Sequence, residues 1–357
     1  MSSDQARVLD SPLSVSCPAP LTSTDRILLG HGSGGKMTAE LLARCFLPAF
    51  RNEYLDRLDD QAVVMAGGAR LAFTTDAYVV TPLFFPGGDI GWLAVNGTVN
   101  DLAAAGCRPL YLSAAFILEE GFPVADLQRI VGSMQRAAEG AGVLLVTGDT
   151  KVVDRGKADG CFITTAGVGL VEHDRLISAD RARPGDVVVL SGPIAEHGMA
   201  IMATRADLEL ETPVVSDTAA LHRIVLDVLA TGADVHCLRD PTRGGVATAL
   251  NELAQRSRVG IVLEETAIAV AEPVRGVCEL LGLDPLYVAN EGKMLAIVAR
   301  PDTERVLSAM HRHPESREAR VVGEVVEDPG RLVVLKTRVG GRRIVDMLPG
   351  EQLPRIC

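Results

Sequence analysis

Three aspartates stand at or near the ends of apolar segments and could bind a metal ion. Asp76 follows Leu-Ala-Phe-Thr-Thr, Asp101 closes Val-Asn-Gly-Thr-Val-Asn-Asp, and Asp149 follows Val-Leu-Leu-Val-Thr-Gly. Carboxylates at the carboxyl ends of strands can meet in one crevice, and such oxygen ligands suit a Mg²⁺ ion that holds nucleotide phosphates. Taken singly, each aspartate is more often a cap or turn residue. Together with the glycine-rich run described next, they predict a magnesium nucleotide site.

A glycine-rich run at 30–36, Gly-His-Gly-Ser-Gly-Gly-Lys, comes directly before a predicted helix. Backbone amides in such a run can wrap a phosphate. The run nearly matches a P-loop, but Met37 stands where a Ser or Thr hydroxyl would bind magnesium, so we reject that interpretation. A flap over a nucleotide and an ordinary flexible loop both remain open. The candidate nucleotide-binding residues here are Gly32, Ser33, Gly34, Gly35 and Lys36.

Two further segments carry polar groups that could reach the same site. Thr147-Gly-Asp-Thr-Lys joins a predicted strand to a predicted loop, so Thr150 is a candidate nucleotide ligand and Lys151 could meet a phosphate or polarise a carbonyl. A solvated surface lysine is the alternative for Lys151. The small-residue segment 91–106 is either a buried helix or a helix that also turns Asn100 and Asp101 toward the metal.

A third polar segment and two histidines complete the candidates outside the cysteines. Arg-Asp-Pro-Thr-Arg-Gly-Gly at 239–245 opens a predicted helix and forms a turn that favours anions. His31 and His197 have no partner at the spacing of a metal site. We therefore predict a polar role in a loop for both histidines.

Seven scattered cysteines without a CxxC pair indicate free thiols rather than a zinc site or a disulfide framework. Cys45, Cys161 and Cys278 lie within apolar patterns and are predicted to be small core residues. Cys357 is different, because it ends a segment from 348 that contains two prolines. Seven extended residues at about 3.4 Å each could sweep roughly 24 Å. The tail could therefore carry its thiol between a catalytic crevice and a partner.

The composition bounds the class of protein. A chain of 357 residues exceeds what one hydrophobic core usually fills, so we expect two domains, although a single large domain remains possible. The 47% hydrophobic, 23% charged and 4% aromatic residues are typical of a soluble α/β protein. A net charge of −11 argues against general binding to nucleic acid or anionic membranes. No apolar run approaches the roughly 20 residues of a membrane span, and the start lacks a signal-peptide pattern, so a cytoplasmic location is expected.

Strand-like and helix-like segments alternate in two series that a turn at 183–186 separates. We expect the α/β (α+β) class, with a loose leader at 1–24, an N-terminal α/β domain at 25–172, a C-terminal α/β domain at 184–347 and a mobile tail at 348–357. The predicted strands are 71–75, 111–118, 143–147, 161–170, 187–190, 235–238, 259–263, 294–299 and 320–326. The predicted helices are 37–45, 90–105, 123–141, 217–230, 245–256, 273–281 and 303–311.

Several segments together resemble the carbamoyl dehydratases of nickel–iron hydrogenase maturation, over a match from about Asp25 to Cys357. The Pro-Arg-Ile-Cys terminus is the specific part of the resemblance. The glycine and aspartate motifs alone would fit the wider superfamily of aminoimidazole ribonucleotide synthetase, selenophosphate synthetase and thiamine-monophosphate kinase. The segments that carry the resemblance are His31-Gly-Ser-Gly-Gly, Thr74-Thr-Asp-Ala, Phe85-Pro-Gly-Gly-Asp-Ile-Gly, Asn96-Gly-Thr-Val-Asn-Asp, Thr147-Gly-Asp-Thr-Lys-Val-Val, Arg239-Asp-Pro-Thr-Arg-Gly-Gly, Ala289-Asn-Glu-Gly and Pro354-Arg-Ile-Cys.

This resemblance implies a two-domain architecture like that of aminoimidazole ribonucleotide synthetase and a homodimer whose N-terminal domains build the nucleotide sites. It implies the cofactors ATP and Mg²⁺ and the conversion of a carbamoyl group on Cys357 to a thiocyanate, which supplies cyanide ligands for the hydrogenase iron. The implied partners are a HypF-type carbamoyltransferase as donor and a HypC/HypD-type complex as acceptor.

The resemblance also implies roles for particular residues. Asp76, Asp101 and Asp149 would hold the metal, Lys151 would steady the developing oxygen charge, and Glu291 is the candidate base, although a turn residue is an equal alternative for it. Two rival functions remain open. One is a small-molecule phosphotransferase of the same superfamily in which Cys357 is idle, and the other is a non-enzymatic scaffold that binds ATP.

Overall fold

The computed structural model describes residues 26–350, 353 and 355–357, so the predicted leader at 1–24 lies outside the described residues. The helices are α1 (Lys36–Leu41), α2 (Leu47–Phe50), α3 (Ile90–Ala104), α4 (Val124–Ala141), α5 (Glu196–Arg205), α6 (His222–Ala230), α7 (Gly245–Ser257), α8 (Glu272–Leu281) and α9 (Thr303–Met310). The strands are β1 (Ala62–Ala66), β2 (Ala69–Tyr78), β3 (Phe84–Phe85), β4 (Gly88–Asp89), β5 (Arg108–Glu119), β6 (Leu144–Val153), β7 (Cys161–Leu170), β8 (Val187–Leu190), β9 (Val235–Arg239), β10 (Gly260–Glu264), β11 (Leu295–Val298), β12 (Arg320–Val326), β13 (Val333–Lys336) and β14 (Arg342–Ile344). None of these helices is long and apolar enough to cross a membrane.

The N-terminal domain is a five-stranded sheet of order β1-β2-β7-β5-β6, covered on one face by α3. The side chain of Asp89 begins α3 by accepting hydrogen bonds from Gly91 N at 2.8 Å and Trp92 N at 3.0 Å. Small residues let this buried helix approach its neighbours closely. A Cβ atom on Gly91 would lie 2.5 Å from the carbonyl oxygen of Ile130 on α4. The helix is therefore fixed between the sheet and α4.

The other face of this sheet is open and partly apolar. Register pairing aligns Phe73 of β2, Val168 of β7, Tyr111 of β5 and Leu144 of β6 in one row across the sheet. Phe73 is 48% exposed, Tyr111 47% and Leu144 64%. An apolar row of this kind is the type of surface that proteins cover with a partner.

The C-terminal domain contains a seven-stranded sheet of order β14-β13-β10-β12-β8-β11-β9. All residues of β8 and β11 are buried, which explains why both strands read as continuous apolar runs. The predicted core positions Cys161 and Cys278 are confirmed as buried. The prediction for Cys45 is wrong, because Cys45 is exposed on the outer surface of a π-helical turn between α1 and α2.

The end of the chain returns to the junction between the two domains. Lys36 N donates a hydrogen bond to Leu348 O at 2.8 Å near the start of the tail. Leu353 and Ile356 are both buried. The structure thus shows a docked tail, and the mobility predicted for residues 348–357 stays a prediction.

Candidate active site

Three carboxylates from two domains meet at this junction. Oxygen atoms of Asp60, Asp101 and Asp240 all lie within 4.8 Å of one another. Thr74 Oγ1 donates to Asp101 at 2.7 Å. Burial raises the pKa of Asp60 and of Asp101 well above the usual range and raises the pKa of Asp240 to about 6. Close carboxylates in a buried place repel one another, so this group favours a shared proton or a cation.

Two arginines and a further aspartate border the carboxylate group. Arg239 pairs with Asp60 at 3.0 Å and with Glu252 at 2.6 Å. Burial raises the pKa of Asp76, while the nearby Arg243 guanidinium opposes that rise. The arginines therefore offset part of the negative charge without removing it.

Asp149 does not join Asp76 within one chain. The register places Asp76 opposite Thr165 on β7, Thr165 opposite Ala114 on β5, and Ala114 opposite Gly148 on β6. Asp149 follows Gly148, so it lies on the open face, whereas Asp76 lies on the face toward α3. Three strand spacings also separate the two residues by roughly 14 Å. The prediction of one crevice is wrong for a single chain because it assumed strands that end side by side.

The prediction of a loop after residue 147 is wrong too, because β6 continues to Val153. Thr150 and Lys151 consequently lie inside an exposed edge strand and not beside the carboxylate group. Lys151 Nζ pairs with Asp149 at 2.6 Å, and this cation lowers the pKa of Asp149. In an isolated chain these side chains resemble a solvated surface pair.

The glycine-rich run packs against the tail and against the segment after β9. A Cβ atom on Gly34, which has a φ of +79°, would lie 2.8 Å from Arg243 O. Arg243 Nη1 donates to Gly32 O at 3.0 Å, and Ser33 Oγ approaches Gly350 O at 3.4 Å. The candidate residues placed at this contact are Gly32, Ser33, Gly34, Gly35 and Lys36.

Asn100 links the two domains. Its Nδ2 donates to Ala219 O and to Glu291 O, both at 3.0 Å, and its Oδ1 accepts from Leu221 N at 2.8 Å. Both amide protons are therefore already used. Asn100 was predicted to bind the nucleotide, but in this structure its side chain instead holds the segment that contains Glu291 in place.

Glu291 lies in the interior at the edge of the carboxylate group, and it is 2% exposed. Its Oε1 has no hydrogen-bond partner among the residues that the structure describes. Burial, followed by the charges of Asp240 and Asp217, raises the pKa of Glu291 well above the usual range. A carboxyl group in this state is a stronger base once it loses its proton.

The thiol of Cys357 faces this carboxyl group. Burial raises the pKa of the Cys357 thiol, and the charge of Glu291 raises it further, while the Arg243 guanidinium opposes the rise. The thiol is therefore protonated in the docked tail. The Cys357 thiol, the Glu291 carboxyl group, the Arg243 guanidinium and the carboxylate group thus lie close together at the junction.

Comparison with known proteins gives this arrangement a family. The model for "AIR synthase related protein, N-terminal domain" matches residues 58–171, and the corresponding C-terminal domain model matches residues 183–336. The carbamoyl dehydratase HypE of Cupriavidus necator is 58% identical over 333 residues, which cover 93% of this chain and 95% of that protein. The chain belongs to the HypE family of carbamoyl dehydratases. HypE of Escherichia coli K12 is 46% identical over 338 residues, with 93% of this chain and 100% of that protein covered.

Solved HypE structures share this fold over nearly their full length. A HypE crystal structure in complex with ATP has a TM-score of 0.79 and 47% identity, covering 93% of this chain and 100% of that one. A HypE–HypF complex gives a TM-score of 0.82 and 46% identity, covering 86% and 99%. The predicted two-domain fold class and the predicted family are confirmed.

For a HypE-family enzyme, the sequence reasoning missed two members of the carboxylate group and misplaced a histidine. Asp60 lies two residues before β1, and Asp240 lies in the anion-favouring turn at 239–245, which was the available signal for it. His197 was predicted to lie in a loop. It instead lies on α5 and is completely buried, because the small and apolar residues around it form a helix that the sequence reasoning did not predict.

Proposed function

We propose that this HypE-family chain uses ATP to dehydrate a carbamoyl group on the thiol of Cys357, which leaves a thiocyanate. The observation that supports this proposal is the docked thiol, which faces the buried carboxyl group of Glu291 beside the carboxylate group. Transfer of the γ-phosphoryl group to the carbamoyl oxygen, with loss of one N–H proton, gives a phosphorylated imidate. Loss of the second N–H proton and of phosphate then forms the carbon–nitrogen triple bond.

Glu291 is the base that this proposal uses. The N–H protons of a carbamoyl group are weakly acidic, so a base with a raised pKa is better suited to accept one than an ordinary carboxylate. The burial of Glu291 also excludes water, which would otherwise compete by hydrolysing the activated group. Lys293, two residues after Glu291, is paired with Asp217 at 3.3 Å and with Glu196 at 2.9 Å.

The carboxylate group fits a Mg²⁺ ion. Asp60, Asp101 and Asp240 offer oxygen ligands at short separations, and Asp76 lies near them. Magnesium would supply positive charge that offsets the charge of the ATP phosphates. Because Asp240 has a pKa of about 6, its carboxylate is available as a ligand at neutral pH.

A homodimer would give Asp149, Thr150 and Lys151 a role. Pairing of two open sheet faces would cover the row that contains Phe73 and Tyr111, and it would turn the exposed side chains of β6 toward the partner. In that arrangement Lys151 could steady the developing oxygen charge on the partner's substrate, as the resemblance implies.

The donor and acceptor follow from the same proposal. A thiol that faces Glu291 in the docked tail is not presented to another enzyme, so the tail must leave the site to meet a HypF-type carbamoyltransferase. It must leave again to pass cyanide to a HypC/HypD-type complex that carries the iron. The solved HypE–HypF complex supports the first partner. We place these steps in the cytoplasm.

Intact-mass spectrometry tests the reaction. The full chain is carbamoylated by a HypF-type enzyme, separated from it and mixed with ATP and Mg²⁺, and we expect the loss of one water mass per chain. Cys357→Ala should never gain the carbamoyl group, whereas the matched variant Cys45→Ala, which changes an exposed thiol, should behave like the parent. Carbamoylation followed by loss of water in Cys357→Ala would contradict the proposal. Unchanged ATP turnover in Cys357→Ala would favour the alternative function, a small-molecule phosphotransferase in which Cys357 is idle.

A further inference from the structure

The docked tail is held through its main chain. Val79 N donates to Cys357 O at 3.2 Å and Thr81 N donates to Arg355 O at 3.3 Å, so the last residues of the chain pair with the segment after β2. The Arg355 side chain forms an ion pair with Asp159. These contacts all come from the N-terminal domain.

Helix α5 of the C-terminal domain also contacts the tail: Arg205 donates to Arg355 O, and a second contact comes from the completely buried side chain of His197. His197 Nε2 lies 2.8 Å from Ile356 O, and His197 Nδ1 lies 2.8 Å from Ser216 Oγ. A carbonyl oxygen can only accept, so Nε2 carries the proton and Nδ1 accepts from the serine hydroxyl. Burial lowers the pKa of His197 and keeps the ring neutral. The ring also meets Phe85 edge-on at a centroid distance of 5.5 Å, which limits its rotation.

We infer that His197 is a positioning residue that holds the Cys357 thiol in the active site. Its partner, the carbonyl of Ile356, belongs to the peptide plane whose nitrogen is that of Cys357. Fixing that oxygen fixes the plane from which the Cys357 side chain projects. His197 acts through the tail, since its two ring nitrogens contact Ile356 and Ser216 and not the thiol. The effect of His197 on the rate of dehydration rests on the proposed function, whereas its hydrogen bond to the docked tail does not.

Two polar substitutions of His197 distinguish its contact with the tail from its contact with Ser216. In His197→Gln, the amide nitrogen lies near the position of Nε2 and can still donate to Ile356 O. In His197→Asn, the shorter side chain can keep a polar contact with Ser216 but does not reach the tail. His222→Asn is the matched control, because His222 is also buried on a helix and is 6% exposed.

The readout is the rate at which iodoacetamide alkylates Cys357 in the native full-length protein without ATP, measured by peptide mass spectrometry. Exposed Cys45 is the internal reference in every sample. We expect His197→Asn to raise the rate at Cys357 relative to Cys45 by about tenfold, as the loss of one buried hydrogen bond predicts. His197→Gln and His222→Asn should stay within about threefold of the parent.

A second readout connects docking to the reaction. In carbamoylated His197→Asn, the ATP-dependent loss of water should slow, whereas the acceptance of the carbamoyl group, which needs a released tail, should not. Equal alkylation of Cys357 in His197→Asn and the parent would overturn the inference. Alkylation of Cys357 in His197→Gln or His222→Asn at the raised rate of His197→Asn would overturn it as well. The alkylation assay uses neither ATP nor a carbamoyl donor, so a parent that never loses water would contradict the proposed function and leave this test intact.

Discussion

At the scale of single residues, the site depends on the unusual environment of Glu291. Its backbone N donates to Asp217 Oδ1 at 3.1 Å, and the following Gly292 leaves no room for a Cβ atom against Asp217 O. The glycine is therefore required for the close packing that keeps Glu291 away from water. Burial raises the energy of the charged carboxylate, and this strengthens it as a base.

Replacement of Glu291 tests its role as the base. Glu291→Gln removes the proton acceptor but keeps the size of the side chain, so we expect the rate of water loss to fall by about 10²- to 10⁴-fold while ATP binding persists. In the parent, the rate should rise with pH through the raised pKa of Glu291, because only the deprotonated form accepts a proton. Single-turnover mass spectrometry across a pH series measures both effects.

Glu279→Gln on α8 is a control for the loss of a carboxylate outside the site, and it should keep the parent rate. A Glu291→Gln variant that dehydrates at the parent rate with the same pH profile would assign the base to another group.

The metal prediction belongs to the same scale. With a pKa of about 6, Asp240 binds a proton below that pH, and the proton competes with a cation. We therefore expect the affinity for Mg²⁺ in the presence of ATP to weaken as pH falls below about 6, and Asp240→Asn to weaken it at neutral pH. Calorimetric titration with Mg²⁺ measures the affinity. An affinity that neither Asp240→Asn nor Asp101→Asn changes would exclude the Asp60–Asp101–Asp240 group as the metal site.

At the scale of elements, strand β6 decides how the N-terminal sheet is used. Its length carries Asp149 and Lys151 along an edge of the sheet, and its register aligns Leu144 with Tyr111 on the open face. The opposite face is already covered by α3. The open face is thus the available surface for a second copy of the chain.

A charge placed in the middle of this face should prevent dimerisation. Tyr111 is 47% exposed, so Tyr111→Glu should fold as a monomer, because burying a carboxylate in an apolar interface costs several kcal/mol. Light scattering should give twice 37.8 kDa for the parent and 37.8 kDa for the variant. The matched variant Val131→Glu, at a position 47% exposed on α4, should remain dimeric. A parent of 37.8 kDa with full activity would contradict the dimer.

At the scale of the whole molecule, the candidate active site lies where the two domains and the tail meet. Asp101 comes from α3, Asp240 and Glu291 come from the C-terminal domain, and Cys357 ends the tail. Asn100 joins α3 to three backbone groups of the C-terminal domain. The position of Glu291 relative to Asp101 therefore depends on the contact between domains.

Asn100→Leu tests this dependence. The substitution keeps the approximate volume but leaves three buried backbone groups unpaired, which should lower stability by about 1–3 kcal/mol for each group that water cannot reach. We expect a lower melting temperature and slower dehydration. Asn96→Leu is the matched control, since Asn96 is buried on the same helix and its side chain donates to Trp92 O at 3.0 Å within that helix. Equal melting temperatures and rates in the two variants would show that Asn100 does not couple the domains.

The sequence predicted the elements best where apolar residues run without interruption. The strands 161–170, 187–190 and 320–326 have the predicted bounds. Apolar and β-branched residues in such strands form a local pattern that can be recognised without knowledge of the tertiary structure. The helix at 196–205 was missed, since its Gly, Ala and His residues have weak local preferences and become helical by packing. Strands β13 and β14 were missed because they are short and lie at an edge of the sheet.

By itself, the sequence determined the two-domain α/β class, the family and the special position of Cys357, because these depend on local patterns and on a terminal motif. Only the tertiary structure decided which carboxylates meet. Asp60 and Asp240, far apart in the chain, join Asp101, whereas Asp149 is on the opposite face of its sheet. The order of the strands, their lengths and the face of the sheet on which each side chain lies arise from the packing of distant segments. A one-residue difference in register moves a side chain to the other face of the sheet. The spacing of residues along a chain carries no record of that packing.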